Sequence, residues 1–307
     1  MASLKNIKLK IISVKKTATV THAMEAVSAV KMRKSQERAL GARMYAASAL
    51  AIMQRLAGTS DFSQYPLMQE RAGKVAFVVV TSDKGLAGSL NSAVIRKTET
   101  EIARLNLRKE DVVMIGIGRR GADYFANRGY DMRARHENFS DAASESDMRV
   151  ITDNVLQWHA AGEVGSAYII YTNFLSTFEQ EAVARQIVPI SSEIIANMIK
   201  HIRPVKGKYA PPPADGLGDP KPAPYTVEPD AESIVTFLLP KLVNIAVYHG
   251  LLESKASEHS ARMVAMKNAT DNAGDIIDSL TLEMNKVRQA AITQELSEIS
   301  AGVEALK

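Results

Sequence analysis

The fold is decided by LKNIKLKIISVKKTATVTHAMEAVSAVKMRKSQERALGARMYAASALAIMQRLA, which occupies residues 4–57. Apolar or small residues recur along it at alternating steps of three and four, the heptad spacing of a coiled-coil helix. No proline interrupts the pattern, which at about 1.5 Å per residue predicts a helix roughly 80 Å long. Such a helix is longer than a compact domain, so the chain is expected to contain a rod. The seam positions are Leu4, Ile7, Ile11, Val14, Ala18, Met32, Ala39, Ala42, Ala46, Ala49, Met53 and Leu56.

The same spacing returns near the other end of the chain, in LVNIAVYHGLLESKASEHSARMVAMKNATDNAGDIIDSLTLEMNKVRQAA at residues 242–291. Two seams of similar length predict that the two terminal helices pair with each other. Alanines between residues 39 and 49 would let the two backbones approach closely. Polar residues also fall on the first seam, where they more often fix register or meet another protein than serve chemistry. They are Thr21, Glu25, Ser28 and Ser35.

The segment between the two helices alternates strands with helices. Runs rich in β-branched residues at 74–80, 111–117 and 166–171 are typical of buried strands. A fourth strand at 182–190 and a helix from 192 to 202 would complete the unit. The alternation predicts a central Rossmann-like, mostly parallel α/β domain. The connecting helices are expected at 92–106, 120–128 and 148–160.

Four regions follow from this pattern. A stretch at 204–229 holds eight of the eleven prolines and is expected to form a linker or foot loop. Asp230 and Glu232 suit the N-terminus of the return helix, and Pro240 is expected to kink or restart it. The predicted division is an N-terminal coiled-coil helix at 1–57, an α/β domain at 74–203, a proline-rich linker at 204–229 and a C-terminal coiled-coil helix at 230–307.

Composition narrows the function classes. The 307 residues include no run of eighteen apolar residues and no apolar stretch at the start, so neither a membrane span nor a secretory signal is expected. The absence of cysteine excludes a disulfide framework and a thiol nucleophile. The six histidines are scattered without a two-histidine metal spacing, which argues against a metal site.

Charge is distributed unevenly along the chain. Residues 1–57 carry eleven Lys or Arg against two Glu, a net charge of +9, whereas the whole chain is only +4. A basic helix can face solvent, nucleic acid, an anionic membrane or an acidic protein surface. A rod that binds nucleic acid is one alternative, although Tyr45 is the only aromatic residue available on this helix for base stacking.

Two glycine-containing motifs suggest chemistry. GIGRRG at 116–121 has the G-x-G-x-x-G spacing of a dinucleotide site. It follows the second strand rather than the first, and Glu137 lies in a polar stretch with no clear strand before it, so a packing turn is the favoured interpretation. The alternative is an NAD-dependent enzyme domain with a dimerising coiled coil. SDKGLAGSLN at 82–91 could also bind an anion, but no histidine or second carboxylate nearby completes a catalytic set.

Several stretches resemble the gamma subunit of F-type ATP synthases. They are THAMEAVSAVKMRK at 21–34, SDKGLAGSLN at 82–91, YTNFLST at 171–177, ASEHSARMVAMKNATDN at 256–272 and NKVRQAAITQE at 285–295. The resemblance spans nearly the whole chain. Ala87 stands where many members have cysteine, and Val303 stands where alanine commonly follows the glycine. The proline-rich stretch has no dependable counterpart in the family.

The resemblance implies a non-catalytic subunit that needs no cofactor of its own. Members form the central rotor shaft, in which the N- and C-terminal helices pair as a long antiparallel coiled coil inside a ring of three alpha and three beta subunits. The shaft lies beside the epsilon subunit and above the c-ring of the membrane sector. This would make the chain a peripheral membrane protein on the cytoplasmic side of the bacterial inner membrane. The family pattern places contacts with the alpha/beta ring at Met24, Arg33, Arg262, Gln289, Thr293 and Glu295. It places contacts with the c-ring at Tyr225 and Glu228.

Overall fold

The computed structural model describes residues 4–57, 65–190, 228 and 230–304, without the side chains of 40, 42–51, 53–57, 231 and 304. Helix α1 is Leu4–Ala57 and the last helix, here α5, is Ala231–Glu304. The chain forms two compact units, Met1–Ala29 with Arg262–Lys307, and Val30–Ala261. These units divide both long helices, whereas the predicted domains kept each helix whole.

The first unit pairs the start of α1 with the end of α5. Ile7 and Ile11 are buried along the predicted heptad line of α1, and Thr21 Oγ1 lies 2.7 Å from Thr270 Oγ1. Leu4 precedes Thr21 by 17 residues, and burial along α5 ends at Val287, 17 residues after Thr270. A helix that begins at Leu4 can cover its partner only that far if the two run in opposite directions. The pair is therefore antiparallel.

The second unit contains a five-stranded sheet in the order β3-β2-β1-β4-β5. Its first four strands along the chain are parallel, and β5 is antiparallel to β4. The strands are β1 Lys74–Val80, β2 Val112–Ile117, β3 Asp131–His136, β4 Val164–Phe174 and β5 Gln180–Val188. The shorter helices are α2 Leu90–Arg104, α3 Arg119–Asn127 and α4 Arg149–Ala160.

Side chains on both faces of the sheet are buried. Neighbouring residues in a strand point to opposite faces, so Phe77 and Val78 join different apolar clusters. Phe77 packs with side chains of α2 and α3, including Phe125. Val78 packs with side chains of α4 and α5, including Val243. The N-terminal half of α5 is thus part of the core of the second unit.

The structure confirms the predicted strands and connecting helices that fall on described residues, with shifts of a few residues at their ends. It adds β3, which the sequence analysis missed. Asp230 caps α5, since its Oδ1 accepts from Ser233 N at 2.7 Å. Helix α5 continues through Pro240 without a break, so the expected restart is wrong, whereas the expected kink stays a prediction. The predicted helix at 192–202, the linker up to residue 227 and the alanine side chains at 42, 46 and 49 lie outside the described residues.

Candidate functional site

The N-terminus of α3, where a dinucleotide phosphate would bind, is occupied by a carboxylate of the chain itself. Asp83 Oδ1 accepts from Arg119 N at 3.1 Å, and Asp83 Oδ2 accepts from Asn138 N at 3.0 Å. Thr81 Oγ1 accepts from Gly121 N at 2.9 Å. Free backbone N–H groups are what makes a helix N-terminus an anion site. Here side chains from the end of β1 already satisfy two of those on α3.

The three glycines of the motif are used for close packing. A Cβ on Gly118 would lie 2.0 Å from the carbonyl oxygen of Thr81, and a Cβ on Gly121 would lie 2.8 Å from Thr81 Cγ2. A Cβ on Gly116 would lie 2.7 Å from the Cβ of Ala122. These contacts bring β2, the end of β1 and α3 together without room for a ligand between them. The geometry supports the packing turn.

One argument against a dinucleotide site was wrong. Glu137 was expected in a polar stretch with no strand before it, but it directly follows β3. The strand was missed because it is an edge strand with alternating exposed and half-buried residues, several of them charged. Glu137 Oε1 accepts from Arg135 Nη2 at 3.2 Å. The case against the site therefore rests on the occupied α3 N-terminus rather than on the missing strand.

We expect Asp83→Ala to destabilise the second unit by about 1–3 kcal/mol, because two backbone N–H groups would lose a charged acceptor. Urea denaturation of the full chain measures this. Asp123→Ala is the matched control. Asp123 lies on α3 and pairs with Arg135 at a half-exposed position, so this substitution should cost less than about 1 kcal/mol. Equal losses in the two variants would contradict the capping role.

The loop at 82–91 is likewise held by its own hydrogen bonds. Asn91 Oδ1 accepts from Ser82 N at 2.9 Å, and Ser82 Oγ donates to the carbonyl oxygen of Lys84 at 2.5 Å. The Ala87 side chain is buried. Within the described part of the chain, no group of three His, Asp or Glu side chains is placed to hold a metal ion. The loop acts as a folded connection at the carboxyl end of β1.

The residues predicted to contact the alpha/beta ring fall into two environments. Arg33 on α1 and Gln289, Thr293 and Glu295 on α5 are exposed. Met24 is half-buried, and only 9% of Arg262 is accessible. Thr293 Oγ1 donates to the carbonyl oxygen of Gln289 at 3.0 Å, as expected for residues four apart. For the c-ring, Glu228 is exposed, whereas Tyr225 lies outside the described residues.

The end of α5 has no partner helix among the described residues of its unit. Residues 288–303 are all exposed, and the described part of α1, from Leu4 onwards, covers α5 only as far as Val287. Four large apolar side chains nevertheless recur at steps of four, three and four along this tail. They are Ile292, Leu296, Ile299 and Val303, each at least half exposed. Sequence analysis missed this stripe as a separate surface, although its spacing was visible as a continuation of the seam.

In the part of the chain that the structure describes, one helix is long and apolar enough to span a membrane by length and composition alone. The best 18-residue window within Glu232–Val303 has a mean hydropathy of 1.5, and 56% of it is buried inside the protein. The helix core of a folded unit passes the same test. Because the N-terminal half of α5 packs against the sheet, we interpret the window as a core segment.

Comparison with known proteins identifies the family. The family model described as ATP synthase matches residues 3–306. The ATP synthase gamma chain of Pelotomaculum thermopropionicum is 39% identical over 308 residues, covering 100% of both chains. The sodium ion specific ATP synthase gamma chain of Acetobacterium woodii is 37% identical over 307 residues, covering 99% of both chains.

Solved structures share the fold at lower identity. A chain in the cryo-EM structure of the Euglena gracilis mitochondrial ATP synthase, OSCP/F1/c-ring, has a TM-score of 0.64 at 17% identity, covering 99% of this chain and 94% of its own length. A chain of the central stalk and c-ring of the Tetrahymena thermophila mitochondrial ATP synthase has a TM-score of 0.58 at 23% identity, covering 81% and 99%. With its paired terminal helices, α/β unit and full-length similarity, this chain belongs to the ATP synthase gamma chain family.

Proposed function

We propose that this chain is the central rotor shaft of an F-type ATP synthase and carries no catalytic site of its own. Ion flow turns the c-ring in the membrane, and the shaft transmits that rotation to the three catalytic sites on the beta subunits. Each site then adopts the conformer that fits the face of the shaft it meets, which is a population shift imposed mechanically. The driving ion is proposed to be the proton.

The observation that carries this proposal is the bare tail of α5. A single helix with sixteen successive exposed residues and an apolar stripe is not stable alone in water. Other subunits that surround residues 288–303 would cover the apolar stripe formed by Ile292, Leu296, Ile299 and Val303. A ring of three alpha and three beta subunits would surround the tail in this way.

Side chains around this tail are proposed to engage the ring. Gln289, Thr293 and Glu295 project from exposed positions on α5, and Arg33 is an exposed cation on α1. Met24 and Arg262 offer less surface, so their contacts would be small and specific. The exposed lysines of α1 suit acidic loops of a partner and would steer its approach more than they add affinity.

The other end of the shaft is proposed to meet the epsilon subunit and the c-ring, with Tyr225 and Glu228 at the c-ring contact. Through these partners the chain would be a peripheral membrane protein on the cytoplasmic side of the bacterial inner membrane. The dinucleotide enzyme is disfavoured, because Asp83 fills the α3 N-terminus.

Co-purification tests this function. An affinity-tagged copy of the chain, extracted from the membranes of its own cells, is expected to bring down alpha and beta subunits at three copies each per copy of the chain. Quantitative mass spectrometry measures the ratio. A matched copy truncated after residue 287 keeps the paired part of the first unit and lacks the bare tail. Wild-type recovery of the full complex with ATP synthesis unchanged in the truncated form would contradict the role of the tail.

A further inference from the structure

A group of charged side chains meets at Asp141, in the loop between β3 and α4, far along the chain from both long helices. Asp141 Oδ2 lies 2.9 Å from Lys31 Nζ, and its Oδ1 lies 2.9 Å from His259 Nε2. Arg38 Nη1 donates to the backbone carbonyl of Asp141. Lys255 Nζ lies 4.0 Å from Oδ1. These five residues, all in the second unit, are called the Asp141 clasp below.

The clasp joins one face of each long helix to a single residue. Lys31 and Arg38 are seven residues apart on α1, which is one heptad, so both project from the same side. Lys255 and His259 are four residues apart and share a side of α5. Asp141 uses its carboxylate for both helices and its carbonyl for α1. It therefore fixes α1 and α5 to each other and to the loop.

Apolar packing contributes little to this task for α1 between residues 30 and 39. The larger core cluster includes α5 side chains from Val235 to Leu251, but no described side chain of α1 belongs to it. Between residues 30 and 39, the buried side chains of α1 are Met32, Ser35 and Ala39, two of which are small. Small seam residues bury little apolar area. The attachment of this part of α1 thus depends strongly on polar contacts.

The partners of Asp141 stabilise the charged form of its carboxylate. The hydrogen bond from His259 is the main cause that holds the pKa of Asp141 well below its ordinary range, and Lys31 adds to it. Partial burial acts in the opposite direction and is outweighed. Charge-assisted hydrogen bonds of this kind are shorter and stronger than neutral ones.

We propose that Asp141 is a positioning residue that makes α1 and α5 turn as one body with the α/β unit. This inference rests on the proposed shaft function. A shaft of two helices transmits torque only if neither helix slides or rotates past the other. The clasp supplies a fixed point for α1 where its apolar contacts are few.

Asp141→Asn tests the proposal in the assembled ATP synthase in inverted membrane vesicles. The substitution keeps the side-chain shape and removes the charge that holds Lys31 and His259. We expect ATP hydrolysis to continue while proton pumping per ATP hydrolysed falls at least about twofold. Asp131→Asn is the matched control, because Asp131 pairs with Lys74 and Arg133 at the sheet edge and should leave the ratio unchanged. An unchanged ratio in Asp141→Asn would overturn the clasp.

A second variant replaces the ion pair between Lys31 and Asp141 with a covalent cross-link. The chain has no cysteine of its own, so Lys31→Cys with Asp141→Cys can be joined by a short bis-maleimide. The pumping ratio should be low before cross-linking and recover afterwards, which a purely structural defect would not do. A ratio that stays low after cross-linking overturns the proposal even if Asp141→Asn assembles poorly. If the unaltered chain supports neither hydrolysis nor pumping, the shaft function fails and the clasp with it.

Discussion

Gly118→Ala is expected to lower the stability of the α/β unit by at least about 4 kcal/mol, which is enough to unfold many domains of this size. Gly118 has φ of +87° and ψ of 143°, a combination that costs other residues about 1–3 kcal/mol. The new Cβ would also lie 2.0 Å from the carbonyl oxygen of Thr81. That oxygen belongs to the backbone at the end of the central strand, so it cannot move aside without shifting β1.

Gly129→Ala provides the matched control. Gly129 also has a positive φ, of +77°, but a Cβ there would meet nothing within 4 Å. It should therefore cost only the backbone strain, about 1–2 kcal/mol. Urea denaturation of the full chain, followed by circular dichroism, compares the two variants. Equal losses would mean that the close approach of β1 and α3 contributes no more than backbone strain does.

The elements that could be predicted from the sequence were those whose apolar residues follow a strong periodic pattern. Strands β1 and β2 are buried on both faces, so they appear as continuous apolar runs and were found within a residue or two. Strand β3 lies at the sheet edge and alternates charged with half-buried residues. A short edge strand of this kind has no apolar run to mark it. The heptad seam of α1 was correct from Ile7 to Ala39, including its buried polar positions Thr21 and Ser28, whereas Leu4 is exposed.

The candidate sites depended on contacts that no local pattern contains. Asp83 caps a helix that begins 36 residues further along, and Asp141 meets Lys31 across 110 residues of chain. A motif search therefore finds GIGRRG but not the carboxylate that fills it. The length of the bare α5 tail is also a tertiary fact. It follows only when one contact, Thr21 with Thr270, fixes which part of α5 the start of α1 covers.

The second large effect is expected at the catalytic sites of the assembled enzyme. Arg262→Ala and Gln289→Ala should each lower ATP synthesis and multisite hydrolysis by roughly 10- to 100-fold. A hydrogen bond to a charged partner is worth about 1.5–3 kcal/mol, and each 1.36 kcal/mol in a barrier changes a rate about tenfold. The ring should still assemble, and single-site nucleotide binding on the beta subunits should survive. Steady-state hydrolysis and single-site binding measure the two quantities separately.

The positions of these residues decide how the results are to be interpreted. Gln289 is fully on the bare tail, so its substitution changes no packing within the chain, and Gln294→Ala is a control of the same type on a different side of the helix. Arg262 is 9% accessible, so its loss also removes contacts inside the chain. The stability of the Arg262→Ala variant must therefore be measured alongside its turnover.

Arg262 lies 27 residues before Gln289, about seven and a half turns at 3.6 residues per turn, so the two side chains point in nearly opposite directions. If both transmit rotation, their defects should therefore appear at different angular positions of the shaft in single-molecule recordings. Wild-type turnover in both variants would reduce them to ordinary polar positions on a coiled coil.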